Sequence, residues 1–400
     1  MGIYQAFAVT VTGISHTKQD KNCQDYSCKG DHRSGIAIAA VADGHGDDNC
    51  FRSDRGAQFA VDCAVKGISE FIKINRSKFS LFPLLKKANL AQNEWDNAVR
   101  NLIKYIIASW HDMVVKDYST NAFTQKELSL IDEKHRIRYK ELDDVNHTSY
   151  ISKAYGTTLI ASAITPHYWL SIHIGDGRLN AFYSDGAFEQ PVPWDEKCFL
   201  NATTSLCDED SFERARHYFS LASEKPLPVA VFLCTDGIDD NYPVEGNENH
   251  LRKLYRTIAL AFAEDGFEKT VIQLNDLANQ FATKGKGDDT SIAGFIDMIA
   301  LKKAVPNWQK EIVDEEETTE DEEGTIEIEK AATIEVLENA QTAAKIEQEE
   351  KLEASNVQAA IEAFAKQSIP AKPGFLRDSY FGPENLPAGQ AKINKDDEQK

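Results

Sequence analysis

Ile36-Ala37-Ile38-Ala39-Ala40-Val41-Ala42-Asp43-Gly44-His45-Gly46 is the stretch that decides the fold. A short, unbroken apolar run of this kind reads as a strand buried on both faces. It ends on a carboxylate, and the glycine that follows lets the backbone turn sharply. The same device recurs along the chain. Trp169 to Ile174 leads into Asp176-Gly177, Val229 to Cys234 leads into Asp236-Gly237, and Asp288-Asp289 precedes a strand over Ser291–Asp297. Gln24-Asp25 stands ahead of them all. Carboxylates carried on rigid strand ends and brought to one place repel one another unless a hard cation sits between them. The pattern therefore implies an all-oxygen metal site, and a neighbouring histidine suits such a site to phosphate-ester chemistry.

Outward from these ends, residues 4–12, 158–163, 168–174, 178–183 and 229–234 also read as strands, spaced as in a largely antiparallel sheet system. Helical spacing of apolar residues predicts helices over 56–74, 83–118, 125–139, 251–263 and 270–282. Strands and helices segregated in this order predict an α+β fold.

The 400 residues carry a net charge of -20, unevenly spread. The last hundred hold 23 Asp and Glu against 12 Lys and Arg. That balance argues against nucleic acid as a partner, because phosphate backbones need clustered cations. The seven cysteines are odd in number and show no Cys-x-x-Cys pair, which fits free thiols in a reducing compartment and a cytoplasmic location. No apolar stretch approaches the roughly 18 residues of a membrane span, and the amino terminus does not read as a secretion signal. Beyond residue 303 the composition shifts. Residues 304–325 read as an acidic linker, 326–367 as a helical segment with a stripe at Val357, Ile361 and Phe364, and 368–400, broken by four prolines, as a flexible tail. The stripe could dock on a protein partner, or on the domain itself, as a helix in a groove, and an unpartnered solvated extension is equally compatible with it.

Taken as an ordered set, Asp43-Gly44-His45-Gly46, Gly156-Thr157-Thr158, Gly175-Asp176-Gly177-Arg178, Thr235-Asp236-Gly237 and Gly287-Asp288-Asp289-Thr290-Ser291 resemble the type 2C (PPM) family of metal-dependent serine/threonine protein phosphatases. The resemblance spans residues 5–300. It implies two packed, largely antiparallel sheets flanked by helices, a four-layer αββα sandwich, to which a helical tail is appended. It also implies two Mg²⁺ or Mn²⁺ ions, with a third held more weakly, and a phosphoprotein substrate attacked by a hydroxide shared between two of the ions. In that scheme Asp43 bridges the two ions and the Gly44 carbonyl binds one. Asp236 and Asp288 bind the other, Asp25 supports the site, Asp176 helps hold the third, and His45 is the general acid.

Two departures bear on substrate binding and metal affinity. Gln24 stands where many relatives carry Glu, and Asp289 where Asn is common. No arginine stands upstream to grip the phosphate; His16, Lys18 and Lys21 are the cations available. The segment from Ala187 to Pro228, with Trp194, Phe199 and Phe212, fits either a substrate-selecting surface or local core. Two other readings stay open at this point: a catalytically inactive relative serving as a binding or scaffold module, and a hydrolase of small phosphate esters.

Overall fold

The structure, a computed structural model, describes residues 3–316 except 32–34, 76–89, 134–135, 137–138, 140–147, 196, 199–202 and 243–246. Ten strands among these residues form two five-stranded sheets in which every pairing is antiparallel. The first sheet runs β1 (Tyr4–Val11), β10 (Thr290–Asp297), β9 (Ala230–Cys234), β6 (Arg178–Phe182), β7 (Phe188–Glu189). The second runs β2 (Asp25–Asp31), β3 (Ala37–Asp43), β4 (Leu159–Ile164), β5 (Tyr168–Ile174), β8 (Arg216–Leu221).

Strand alternation sorts each buried strand between two cores. From β3, Ile38, Ala40 and Ala42 face helices, while Ala37, Ala39 and Val41 face the other sheet. From β9, Phe232 and Cys234 face helices, whereas Val231 and Leu233 point between the sheets. The inter-sheet layer takes small residues from β3 and large ones from its partners, among them Trp169 and Phe295. Helices α1 (Ser53–Asn75) and α2 (Leu90–Thr120) cover the second sheet. The first sheet is covered by α3 (Asn247–Asp265), α4 (Phe267–Lys284) and α5 (Met298–Glu316). The result is the α+β, four-layer αββα sandwich.

Three strands escaped the sequence reading. β2 and β8 lie at sheet edges, where one flank needs no partner and a polar sequence such as Asp25-Tyr26-Ser27-Cys28-Lys29-Gly30-Asp31 is tolerated. β7 is only two residues long. The helix expected over 125–139 is interrupted: Gln125–Leu130 is helical, and Glu133, Arg136 and Tyr139 are helical again. Thr124 and Glu127 cap its start reciprocally, and at Ile131 the chain turns extended, its side chain buried. Of the helix expected over 83–118, residues 83–89 lie outside the described residues.

The domain limit expected at residue 303 also moves. Helix α5 continues to Glu316 and buries Ala304 and Trp308 in the core of the first sheet. Trp308 packs 5.4 Å from Phe182, and its indole N–H donates to the Tyr183 carbonyl at 3.0 Å. The chain divides into two units, Met1–Ala340 and Gln341–Lys400. The second unit lies outside the described residues, as do the expected helical segment at 326–367 and tail at 368–400.

Ending the chain at residue 303 should therefore destabilise the domain, whereas ending it at 316 should not. Trp308→Ala should cost about 3 to 5 kcal/mol in urea unfolding. A loss below about 1 kcal/mol would mean that α5 is dispensable to the core.

Candidate active site

The antiparallel register fixes where the carboxylates meet. Asp25, first in β2, pairs directly with Asp43, last in β3. Ile174 ends β5, and the turn that follows carries Asp176 into β6. Cys234 ends β9 opposite both Arg178 and Ile292, which places Asp236 beside the starts of β6 and β10. Asp288 immediately precedes β10. Two sheets packed face to face thus deliver all five carboxylates to one end of the sandwich.

Hydroxyl groups brace that end. Asp43 is held through its backbone: its N–H donates to Thr158 Oγ1 at 2.9 Å, and its carbonyl accepts from Thr157 Oγ1 at 2.9 Å and from the Thr158 N–H at 2.8 Å. This is the structural use of the Gly156-Thr157-Thr158 motif. Thr235 Oγ1 donates to the Asp25 carboxylate at 2.7 Å and accepts the Ser291 N–H at 3.0 Å, tying β2, β9 and β10 together. Gly44 must be glycine, since a Cβ there would stand 2.6 Å from the Ser53 carbonyl oxygen and 2.7 Å from that of Gln24.

The electrostatics are those of a site built for positive charge. Burial raises the pKa of Asp43 well above the carboxylate range, and the charges of Asp236, Asp25 and Asp176 add to the rise. Asp25 is raised in the same direction, chiefly by burial. Asp236 is pushed up to about 7 by burial and by Asp176, and it shares a side-chain hydrogen bond with Asp43. Asp288 is raised by burial, with a smaller push from Asp289, and its own charge acts on Asp236. Among the described residues none of these five acids forms an ion pair with lysine or arginine. Beside them the buried side-chain oxygen of Gln24 accepts no hydrogen bond, while its amide donates to Ser53 Oγ at 2.6 Å and the His45 carbonyl at 3.3 Å. Oxygen donors, excess negative charge and an orphaned acceptor fit a hard divalent cation. The fit is open rather than closed: among the described residues no three acid, histidine or cysteine side chains surround a single point.

Asp289 behaves differently from its neighbour. Its carboxylate accepts the N–H of Gly13 at 2.7 Å and of Gln24 at 2.6 Å, and it pairs with His16 Nδ1 at 2.8 Å. These partners outweigh burial and hold it below the usual carboxylate range. Asp289 is a staple joining three loops, and His16 is committed to it rather than available to a phosphate. Its sequence signal was the acid in place of the commoner Asn.

His45 follows the Asp43-Gly44 turn, its N–H held by the Gly156 carbonyl at 3.0 Å. Burial lowers its pKa, and the charges of Asp176, Asp208 and Asp47 oppose that drop. Asp208 drew no notice in the sequence, because nothing local marks its approach to a histidine so far away in the chain. The segment after Ala187 divides its aromatics. Trp194 is 46% exposed, Phe212 packs on the helix-side core beneath Arg100 and Lys104, and Phe199 lies outside the described residues. All seven cysteines are free thiols.

The protein phosphatase 2C family profile matches residues 12–278, two-thirds of the chain. The chain belongs to the protein phosphatase 2C family. It is accordingly a protein serine/threonine phosphatase. Solved structures with similar folds include the serine/threonine phosphatase Stp1 from Staphylococcus aureus, at 14% identity and a TM-score of 0.41, covering 74% of this chain and 95% of that one. The catalytic domain of the serine threonine protein phosphatase PstP, solved in complex with two manganese ions, is 15% identical with a TM-score of 0.42, covering 74% and 99%. A C. elegans sex determining protein is 14% identical with a TM-score of 0.43, covering 77% and 67%. No curated protein matches the chain. No described helix is long and apolar enough to cross a membrane.

The raised acids make the cation-free protein sensitive to pH. A carboxyl whose folded pKa lies above its unfolded one stabilises below the unfolded value and loses that contribution as pH rises. For Asp236 the window runs from 3.8 to about 7. In EDTA the melting temperature should fall by several degrees between pH 5 and 7.5. Mg²⁺ should restore it at pH 7.5 and do little at pH 5, and Asp236→Asn should flatten the slope. Equal Mg²⁺ effects at the two pH values would contradict this electrostatic account.

Proposed function

We propose that the chain hydrolyses phosphoserine and phosphothreonine in proteins at this strand-end basin, with divalent cations held by its carboxylates and His45 as the general acid. The observation that carries the reading is the half-buried Asp43–Asp236 pair, two acids sharing a hydrogen bond with no lysine or arginine paired to them among the described residues. Asp43, the Gly44 carbonyl, Asp236 and Asp288 would hold two Mg²⁺ or Mn²⁺ ions, with Asp25 in support and Asp176 at a third position. Bound there, the ions would supply an acidified water as nucleophile and positive charge for the phosphoryl oxygens.

The chain's own residues do the rest. Thr157 and Thr158 fix Asp43 at the end of β3, and Thr235 orients Asp25. A serine or threonine alkoxide is a poor leaving group, so a proton must reach the ester oxygen as the bond to phosphorus breaks. His45 would give it. Burial disfavours its imidazolium, and a substrate phosphate dianion, added to Asp176, Asp208 and Asp47, restores it. A proton donor acts only while protonated, so turnover should fall as pH rises through the His45 pKa in the complex. The intact set of five acids favours an enzyme over an inactive scaffold.

His45→Gln should lower kcat on a phosphothreonine peptide by about 10²- to 10⁴-fold. It should change turnover of an aryl phosphate far less, because that leaving group needs no proton. Asp43→Asn should abolish both activities. Equal losses on the two substrates in His45→Gln would remove His45 from the role of general acid.

A further inference from the structure

The turn that carries Asp176 is held from an unexpected side. Gly175 has φ +109, a conformation suited to glycine, and both of its backbone polar groups are gripped by the segment that follows β7. Its N–H donates to Thr204 Oγ1 at 2.8 Å. Its carbonyl accepts from one terminal nitrogen of Arg216 at 2.5 Å, while the other donates to the Pro193 carbonyl at 2.6 Å. Burial lowers the Arg216 pKa, and Asp195 stands 4.0 Å from its Nε, so this guanidinium is desolvated at a real cost.

A second arginine repeats the connection. Arg178 donates to the Asp176 carbonyl at 2.5 Å, pairs with Asp239, and lies 3.8 Å beneath the ring of Trp194. Trp194 is 46% exposed, while Trp95, Trp110, Trp169 and Trp308 are all buried. Two planar forks thus join the Asp176 turn to Pro193 and Trp194, and none of these bonds involves a carboxylate of the basin. A planar fork that satisfies two carbonyls at once cannot be replaced by an ammonium, which is a point charge on a flexible stem.

We propose that Arg216 is a positioning residue that couples the Asp176 turn to the exposed Trp194 surface, so that cation affinity at Asp176 and the state of that surface depend on each other. The proposal rests on the reading of Asp176 as a cation ligand. Coupling of this kind is reciprocal: whatever displaces Trp194 changes cation affinity, and cation binding changes the surroundings of Trp194. A protein substrate that touches Trp194 would then tune the site without reaching the reacting phosphorus.

The test is a Mg²⁺ titration of the full chain, followed in parallel by tryptophan emission and by calorimetry, with thermal unfolding as a check on folding. Emission of the wild type should change with added Mg²⁺, and Trp194→Phe or Asp176→Asn should remove the change. Arg216→Lys should raise the Mg²⁺ midpoint by about fivefold or more, as expected for a coupled pair of sites. Trp194→Ala should raise it too, although that side chain offers the cation no ligand. Because Trp194 is exposed, this variant also decides the matter if Arg216→Lys fails to fold. Unchanged midpoints in both variants, with Mg²⁺ still binding by calorimetry, would make Arg216 a purely structural clamp and overturn the proposal. Absence of Mg²⁺ binding to the wild type would overturn the cation reading of the site and the coupling together.

Discussion

Mutual repulsion among carboxylates gathered at one end of the sandwich is the constraint on which the rest of the structure depends. Asp43 and Asp236 share a hydrogen bond, and Asp25, Asp176 and Asp288 add charge around them. Among the described residues no lysine or arginine is spent on neutralising them. The fold answers by making that end stiff. Its acids stand where strands end, its backbone is pinned by Thr157, Thr158 and Thr235, and Asp289 staples the loops bearing Gly13, His16 and Gln24. Rigidity keeps the repulsion from relaxing by drift of the side chains into water. That tension is what a divalent cation relieves, and it links the stability of the domain to the chemistry of a phosphatase.

His16, Arg178 and Arg216 are engaged elsewhere. His16 serves Asp289, Arg178 serves Asp239 and the Asp176 carbonyl, and Arg216 serves two carbonyls. On the proposed reading, the site would meet a phosphate with bound cations and His45 rather than with an arginine clamp. On that reading the protein substrate would be read by surfaces around the basin, and Trp194 is an exposed aromatic on one of them.

Much of this was legible in the sequence because the informative strands are buried on both faces. Ala37 to Ala42 and Ala230 to Cys234 are unbroken apolar runs, Tyr168 to Ile174 is broken only by Ser171 and His173, and each leads into an acid. The edge strands β2 and β8 gave no such signal, since backbone pairing with β3 and β5 defines them and their side chains are only partly buried. The limit at residue 303 failed for a related reason: Ala304 and Trp308, set among polar residues, read as the start of an acidic linker until Phe182 is seen to receive the indole. Within the site, the motif acids were visible, whereas Thr235 as the partner of Asp25, Asp208 as a neighbour of His45, and Arg216 as a clamp on Gly175 depend on contacts across long separations that no local pattern announces.

The most direct test of the central claim is to count protons released when a cation binds. Calorimetric Mg²⁺ titrations at pH 6, repeated in buffers of different ionisation enthalpy, give that number. Asp236, with a pKa of about 7, and the still more buried Asp43 and Asp25 should retain protons in the cation-free protein and lose them on binding. The account predicts release of about one proton or more per chain at pH 6, declining as the pH approaches 8. Tight binding without proton release would contradict it, because the carboxylates would then have been ionised, and at ease with one another, before the cation arrived.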